Sequence, residues 1–576
     1  MHDLVIRGGT VVDGLGGEPL EADVAIDGER IVEVGSGVAR GAEEIDATGL
    51  IVTPGFIDLH THYDAQAIWD PVLAPSAWHG VTSLVIGNCG VGFAPVRPEA
   101  RSWLIEIMEN VEEIPRNVLE AGLQWDWESF PDYMNALAGR RHTIDIAAQV
   151  PHIALRAYVM GERAVRNEKA SADDIAAMNA LIEEAIRAGA IGFACSHTVA
   201  HTLSDGSLVP GSQGDRDELL ALAEGVRRAG GGMVQFLGDF PNWDVDLDFM
   251  VEMSRRSNAP VHFTMTDQDG QAKLAAIEAA EAKGARLVGH LAPRAIGNIV
   301  QWRATRHPFM HRPSIKAIAH LPWPEQLARL KDPAFRAQVL SESNGAAEEG
   351  RPDYAKVVLR GFDQMYEMGA LPDYEPDSRI DSVAARAAAV GQEPQAYAYD
   401  VMMRNDGTGM MYMTIANYRA GDFSELRALI EHPGTVVSLS DAGAHCTRIV
   451  DASLTTFMLA HWARDRARGE TMPLAAVVRR CSHDNATAYG LRDRGVVAPG
   501  YLADLNVIDI DRLELPAPYM SFDFPAGGRR LLQKANGYVA TIKRGRTTFR
   551  EGEHTGEFPG TLIRGGRDIE IPQMAS

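Results

Sequence analysis

The chain has 576 residues, of which 45% are hydrophobic and 23% charged, and it carries a formal net charge of −23. Such a balance fits a large globular enzyme, and so acidic a chain argues against nucleic acid or an anionic membrane surface as partner, since both require a basic footprint. Its four cysteines, Cys89, Cys195, Cys446 and Cys481, form no CxxC pair, which argues against a disulfide scaffold and fits a reducing compartment.

The N-terminal MHDLVIRGGTVVDG reads as strand and turn, without the basic and apolar regions of a signal peptide. No apolar run reaches the ~18 residues of a membrane span, so a cytoplasmic protein is expected. Residues 1–54 continue as short apolar runs (ADVAIDGERIVEVG, EEIDATGLIVTPG) between Gly-rich turns, and 487–576 return to the same texture in GYLADLNVIDIDRL and GYVATIKRGRTTFREGEHTG. The two ends are expected to pair into one composite β-sandwich domain.

The middle, 55–486, reads as a (β/α)8 barrel. Eight apolar runs serve as strand candidates: GFIDLHTH, VTSLVIGNCG, TIDIAAQVPH, AIGFACSH, GGMVQFLGD, PVHFTMTD, ARLVGHLAP and TVVSLSDAG. One intervening helix is well marked, with Ser171 and Asp174 as a capping box and Gly189 as its end. About 140 residues separate the seventh and eighth candidates, too many for a simple connection. A mostly helical insertion over about 295–430 is expected there, with WPEQLARLKDPAFRAQVLSES as a helical stretch placed to cover the site.

The first candidate ends Asp58-Leu59-His60-Thr61-His62. Residues i and i+2 of a strand point the same way, so His60 and His62 would project together into the barrel mouth at a separation suited to Zn²⁺. A lone HxH pair also occurs in surface loops; the strand before it favours the metal. Asp441 ends the eighth candidate, where it could ligate the ion and relay the proton of a metal-activated water, the hydroxide then attacking the carbonyl. Capping of the next helix is its other reading. Cys89, between glycines at the end of the second candidate, is either a soft ligand or a small buried apolar residue.

Together, DLVIRGGTVVDG…GLIVTPGFIDLHTHYDAQAIWDP, GNCGVGFAPVRP, SLSDAGAH and GLRDRGVVAPGYLADLNVIDID resemble the amidohydrolase superfamily, and within it the D-aminoacylase (N-acyl-D-amino-acid deacylase) branch. The resemblance covers nearly the whole chain and is weakest in the insertion. It implies a zinc-dependent deacylase with a barrel and a composite β-sandwich, and it places His60, His62, Cys89 and Asp441 on metal-binding positions.

One departure stands out. Relatives with a full second site carry histidines on barrel strands five and six, where this chain has Gln235 or Phe236 and then Met265; His262, three residues from Met265, is expected on the opposite face. One zinc ion is therefore favoured over two. His290, His152 and His197 end other strand candidates and are candidate substrate contacts, His290 also being the best substitute ligand. Arg448 suits a carboxylate, His201 and His445 could touch an acyl group, and Tyr63 or Asp64 could orient a ligand histidine. The expected activity is hydrolysis of a C–N amide bond in a small-molecule substrate, with Asp441 as base and then acid. A cyclic amide, carbamate or ester hydrolase, a deaminase, or a silent binding paralogue on the same fold are the alternatives, and a homo-oligomer is left open.

Overall fold

The computed structural model describes residues 1–203, 205–240, 242–345, 358–359 and 361–565. Parts of the expected insertion (346–357 and 360) and the end of the expected C-terminal β unit (566–576) lie outside the described residues.

All eight strand candidates are strands of one parallel sheet: Phe56–Asp58, Val81–Ile86, Asp145–Pro151, Gly192–His197, Val234–Gly238, Val261–Thr264, Leu287–Leu291 and Thr435–Val437. They are hydrogen-bonded in chain order. The two edges meet where Thr61 bridges Ala442, and the His62 amide donates to the Ala442 carbonyl at 2.7 Å. The result is a (β/α)8 barrel.

Strands buried on both faces explain the near-continuous apolar runs. Outward residues such as Phe193, Val234 and Phe263 share a core with Met178, Ile182 and Ala185 of the capping-box helix. Inward residues Val85, Ala147, Met233 and Val436 form a separate core with Tyr489 and Leu491, which plug the barrel floor. The helix Ala172–Ala188 has both halves of the Ser171–Asp174 box and stops at Gly189, whose φ of 114° suits a residue without Cβ.

The termini share a nine-stranded sheet. His2–Val11, Leu20–Asp27, Arg30–Gly35, Gly41–Asp46 and Ile51–Pro54 join Leu505–Ile508, Tyr538–Lys543, Arg546–Arg550 and Glu553–His554, and the seam is Pro54–Leu505 through Ile51–Ile508. Its own core includes Val24, Ile26, Val52, Leu505 and Ile542. Charge ties it to the barrel floor: buried Asp145 on the third barrel strand receives Arg494 at 2.7 Å, Lys543 at 2.8 Å and Arg544 at 3.2 Å. A hairpin of Tyr519–Phe524 and Gly528–Leu532 was not anticipated.

The insertion is helical but not only helical. Its apolar IGNIV and MYMTIA runs pair with each other (Ile296–Val300, Met411–Ala416), and Met365–Glu367 joins the free edge of the second to complete a three-stranded antiparallel sheet. The expected long helix is two, Trp323–Lys331 and Pro333–Ser341, because Asp332 is forced extended by the proline after it. Among the described residues no helix is long and apolar enough to cross a membrane.

Candidate metal centre at the barrel mouth

After Asp58 the chain leaves regular strand, and Leu59 to His62 are laced to the loop after the eighth strand. The Asp441 amide donates to the His60 carbonyl at 3.1 Å, and the Leu59 amide donates to the Ser438 hydroxyl. The Asp58 carboxylate accepts from Ser440 Oγ at 2.5 Å. This lacing fixes two buried imidazoles with ring centroids 5.5 Å apart.

Cys89 reaches them from a tight turn. Gly87, Cys89 and Gly90 have φ of 83°, 56° and 73°, and a Cβ on Gly87 would collide with the Gln149 carbonyl. The sequence therefore needs glycines around the cysteine. The turn is pinned by a buried amide ladder: Gln149 Nε2 donates to Asn88 Oδ1 at 2.9 Å, and the Cys89 amide donates to Gln235 Oε1 at 2.8 Å.

His60 Nε2 lies 3.2 Å from Cys89 Sγ and 3.3 Å from Asp441 Oδ1, while His62 Nε2 lies 3.7 Å from the same oxygen. One ligand atom each from His60, His62 and Cys89 falls within 4.8 Å of the others. Burial pulls His60 down to about 4, so its ring is neutral with a lone pair to give, and pushes the Cys89 thiol up to about 12. A thiolate at this position thus calls for a cation beside it. Burial opposes charge on His62 as well, but Glu112, Asp441 and Cys89 around it outweigh this and hold it well above the usual imidazole value, a proton that a bound cation would replace. Two imidazoles, a thiol and a carboxylate suit a borderline-soft divalent ion, and Nδ1 of both histidines is buried without a hydrogen bond. Asp441 is less enclosed than its apolar lead-in suggests: its side chain is 33% exposed, against 1% for each histidine, so the cluster opens to solvent on the Asp441 side.

The other candidates disperse. His290 reaches the cluster's edge, its ring 6.0 Å from that of His60, and its Nε2 lies 2.9 Å from His262 Nδ1. His262 therefore faces the barrel interior, in register with Gln235 and 4.7 Å (ring centroids) from Tyr489. Met265 packs in the outer core with Phe263. The expected opposition of His262 and Met265 holds, but the inward residue is the histidine. Gln235, not Phe236, is the inward residue of strand five.

His152 does not enter the site. It lies 2.8 Å from Glu218 in a buried group with Arg156. His197 Nδ1 lies 3.2 Å from the Gly214 carbonyl, and Tyr63 hydrogen-bonds Ser76 at 2.8 Å rather than lining the site. Arg448 sits at the rim with its guanidinium on Glu113 (2.6 Å) and Asn298 (2.9 Å), so its charge is already met. His201 is buried and His445 half-buried near His62, and loss of solvent lowers His445 to about 4 and His201 to about 3.

Glu112 was not anticipated. It follows the helix Arg101–Val111, is 3% exposed, and places Oε1 3.5 Å from His62 Nδ1. Burial pushes it up to about 7. The only signal in the sequence is an acidic pair, Glu112-Glu113, directly after an apolar helix, which reads equally well as a solvated helix end.

Residues 43–549 match the model of the amidohydrolase family. The D-aminoacylase of Alcaligenes xylosoxydans xylosoxydans is 26% identical over 569 residues, 97% of both chains. The N-acyl-D-glutamate deacylase of the same organism is 40% identical over 196 residues, 33% of this chain and 36% of the relative. Among solved structures, a crystal structure of D-aminoacylase aligns with a TM-score of 0.64 at 22% identity over 98% of this chain and all of that one. The N-acyl-D-glutamate deacylase of Bordetella bronchiseptica, solved with zinc and a phosphonate inhibitor, gives 0.63 at 23% over 98% and 99%. The likeness to D-aminoacylases expected from the motifs is thus found along the chain, and the chain belongs to the amidohydrolase family.

Proposed function

We propose that the protein hydrolyses the amide bond of N-acyl-D-amino acids, using one zinc ion held by His60, His62, Cys89 and Asp441. The carrying observation is the buried His60–His62–Cys89 cluster with a carboxylate on its open side. The D-configured substrate class rests on the relatives: a D-aminoacylase over 97% of the chain and an N-acyl-D-glutamate deacylase over a third of it. A single ion is favoured because the inward position on strand five is Gln235, already bound to the Cys89 amide, while Met265 faces outward and His262 is engaged with His290.

Zinc bound here would supply Lewis acidity to the substrate carbonyl. The rest falls to the chain's own residues. Burial opposes the charge on Asp441, yet its contact with His62 and the nearby His60 hold the carboxyl well below the usual carboxylate range. Ionised and solvent-facing, Asp441 takes a proton from the attacking water and delivers it to the leaving nitrogen, which departs as a neutral amine.

The test is a panel of N-acyl-D- and N-acyl-L-amino acids beside cyclic amides, carbamates, esters and simple amides, with protein of measured zinc content. Turnover confined to the D-acyl amino acids with about one zinc per chain is expected. Turnover of another class alone would overturn the substrate reading, and a stoichiometry near two would overturn the one-ion reading.

A further inference from the structure

Glu112 comes from outside the barrel sheet, in the excursion between the second and third strands. The helix Arg101–Val111 buries Leu104, Ile105, Ile107 and Met108, and its last turn is completed by the Glu112 amide donating to the Met108 carbonyl at 3.1 Å. Glu113 then adopts a left-handed φ of 53°. That reversal sends the two acids to different partners. Glu113 takes Arg448 at 2.6 Å and Arg306 at 3.1 Å, while Glu112 turns to His62.

The His62 ring has two nitrogens with different surroundings. Nε2 faces Asp441 at 3.7 Å, on the side of Cys89 and His60, and Nδ1 faces Glu112 Oε1 at 3.5 Å. Nδ1 is fully buried and makes no hydrogen bond, and among the described residues no other carboxylate forms an ion pair with it. Asp64, two residues on, has a buried oxygen without a partner but no ion pair with the ring. Glu112 itself is anchored, since the His445 amide donates to its carbonyl and His445 Nε2 lies 3.9 Å from Oε2.

A buried imidazole presents a lone pair at one nitrogen only if the other carries the proton, and an acceptor carboxylate settles which. Resting on the metal-site reading above, we infer that Glu112 is a positioning residue: its carboxylate, 3.5 Å from Nδ1 of His62, draws the ring proton to that nitrogen electrostatically, leaves Nε2 free for the ion, and so sets the affinity of the site for it. It would touch neither ion nor substrate.

The experiment is competition for Zn²⁺ between the full-length protein and a chromophoric chelator, for wild type, Glu112→Gln and Glu112→Ala. Loss of an outer carboxylate of this kind costs about 10–100-fold in metal affinity. Glu112→Gln is expected to weaken zinc by that factor and Glu112→Ala by more, because glutamine keeps a neutral acceptor. Zinc affinity within threefold of wild type in both variants would overturn the inference. Failure of the wild type to bind zinc at all would instead defeat the metal-site reading, and Glu112's role with it. Should the variants not fold, the wild-type protein decides alone. In a ¹⁵N-histidine spectrum of the zinc-loaded protein, assigned through loss of the His62 signals in His62→Gln, His62 is expected as the Nδ1–H tautomer. The Nε2–H tautomer would overturn the inference.

Discussion

Gln235→Leu removes a side chain that holds the metal-site loop without touching the proposed ion. In the native protein Gln235 is 1% exposed and its Oε1 accepts the Cys89 amide at 2.8 Å. Leucine fills a similar volume but leaves that amide buried without a partner, which costs about 1–3 kcal/mol. The cost falls on the closed form of the turn. Once the turn opens, water satisfies the amide, so opening becomes easier by the same amount. At a factor of ten for each ~1.4 kcal/mol, metal-free protein should expose Cys89 about 5- to 150-fold more often. Cys89 is 7% exposed, and the rate of its modification by a thiol reagent, followed by peptide mass spectrometry, reports this opening. Cys195, on the neighbouring fourth strand, is the internal control. A Cys89 rate in Gln235→Leu equal to that of wild type would refute the claim that Gln235 pins the turn.

Asp441→Asn is expected to lose turnover by several hundredfold or more, since general acid–base catalysis contributes about 10²–10⁴, while zinc titration shows the ion still bound; wild-type kcat would refute its role. Met265→His should lower the melting temperature without raising zinc content, because Met265 lies in the outer core with its sulfur against Gly289, and a gain in zinc would show that strand six turns inward. Glu218 is pushed up by burial, but His152 and Arg156 outweigh this and lower it to about 2 from 4.5. Its folded-state value is depressed, so its contribution, on the order of 3 kcal/mol, is complete above about pH 4.5 and lost as the pH falls toward 2. Glu218→Gln should therefore show a shallower loss of stability than wild type across that window, and parallel curves would refute the ion pair.

The barrel was legible because its strands are buried on both faces and appear as bare apolar runs; all eight were found where the runs lie. The capping box at Ser171 and Asp174 was equally plain, being a local device that needs no tertiary partner. The short strand Met365–Glu367 was not, since three residues against Tyr412 have too little pattern of their own. At the site, the HxH pair announced itself through spacing. Strand six misled because counting three residues from Met265 gives opposition but not which residue faces in; that is decided by the register Gln235–His262 and by Tyr489 below. Glu112 stayed hidden because its place depends on one left-handed residue, Glu113, and on the packing of the helix before it, and it lies more than 20 residues from any ligand in the sequence.

The seam between the two ends of the chain also shapes how the protein must be made. Strand Ile51–Pro54 pairs with Leu505–Ile508, so about 450 residues are translated between the halves of one ladder. At about 5–20 residues per second that is roughly 20–90 s. For that interval the N-terminal strands have an open edge facing solvent or a chaperone, a template for pairing with the wrong chain. The charged seal at Asp145, which needs Arg494, Lys543 and Arg544, forms only after the last of them has emerged. Folding yield should thus be most sensitive to growth temperature and chaperone supply in chains truncated just before 505, which retain the whole barrel but none of the C-terminal strands that cover the open edge of the terminal sheet.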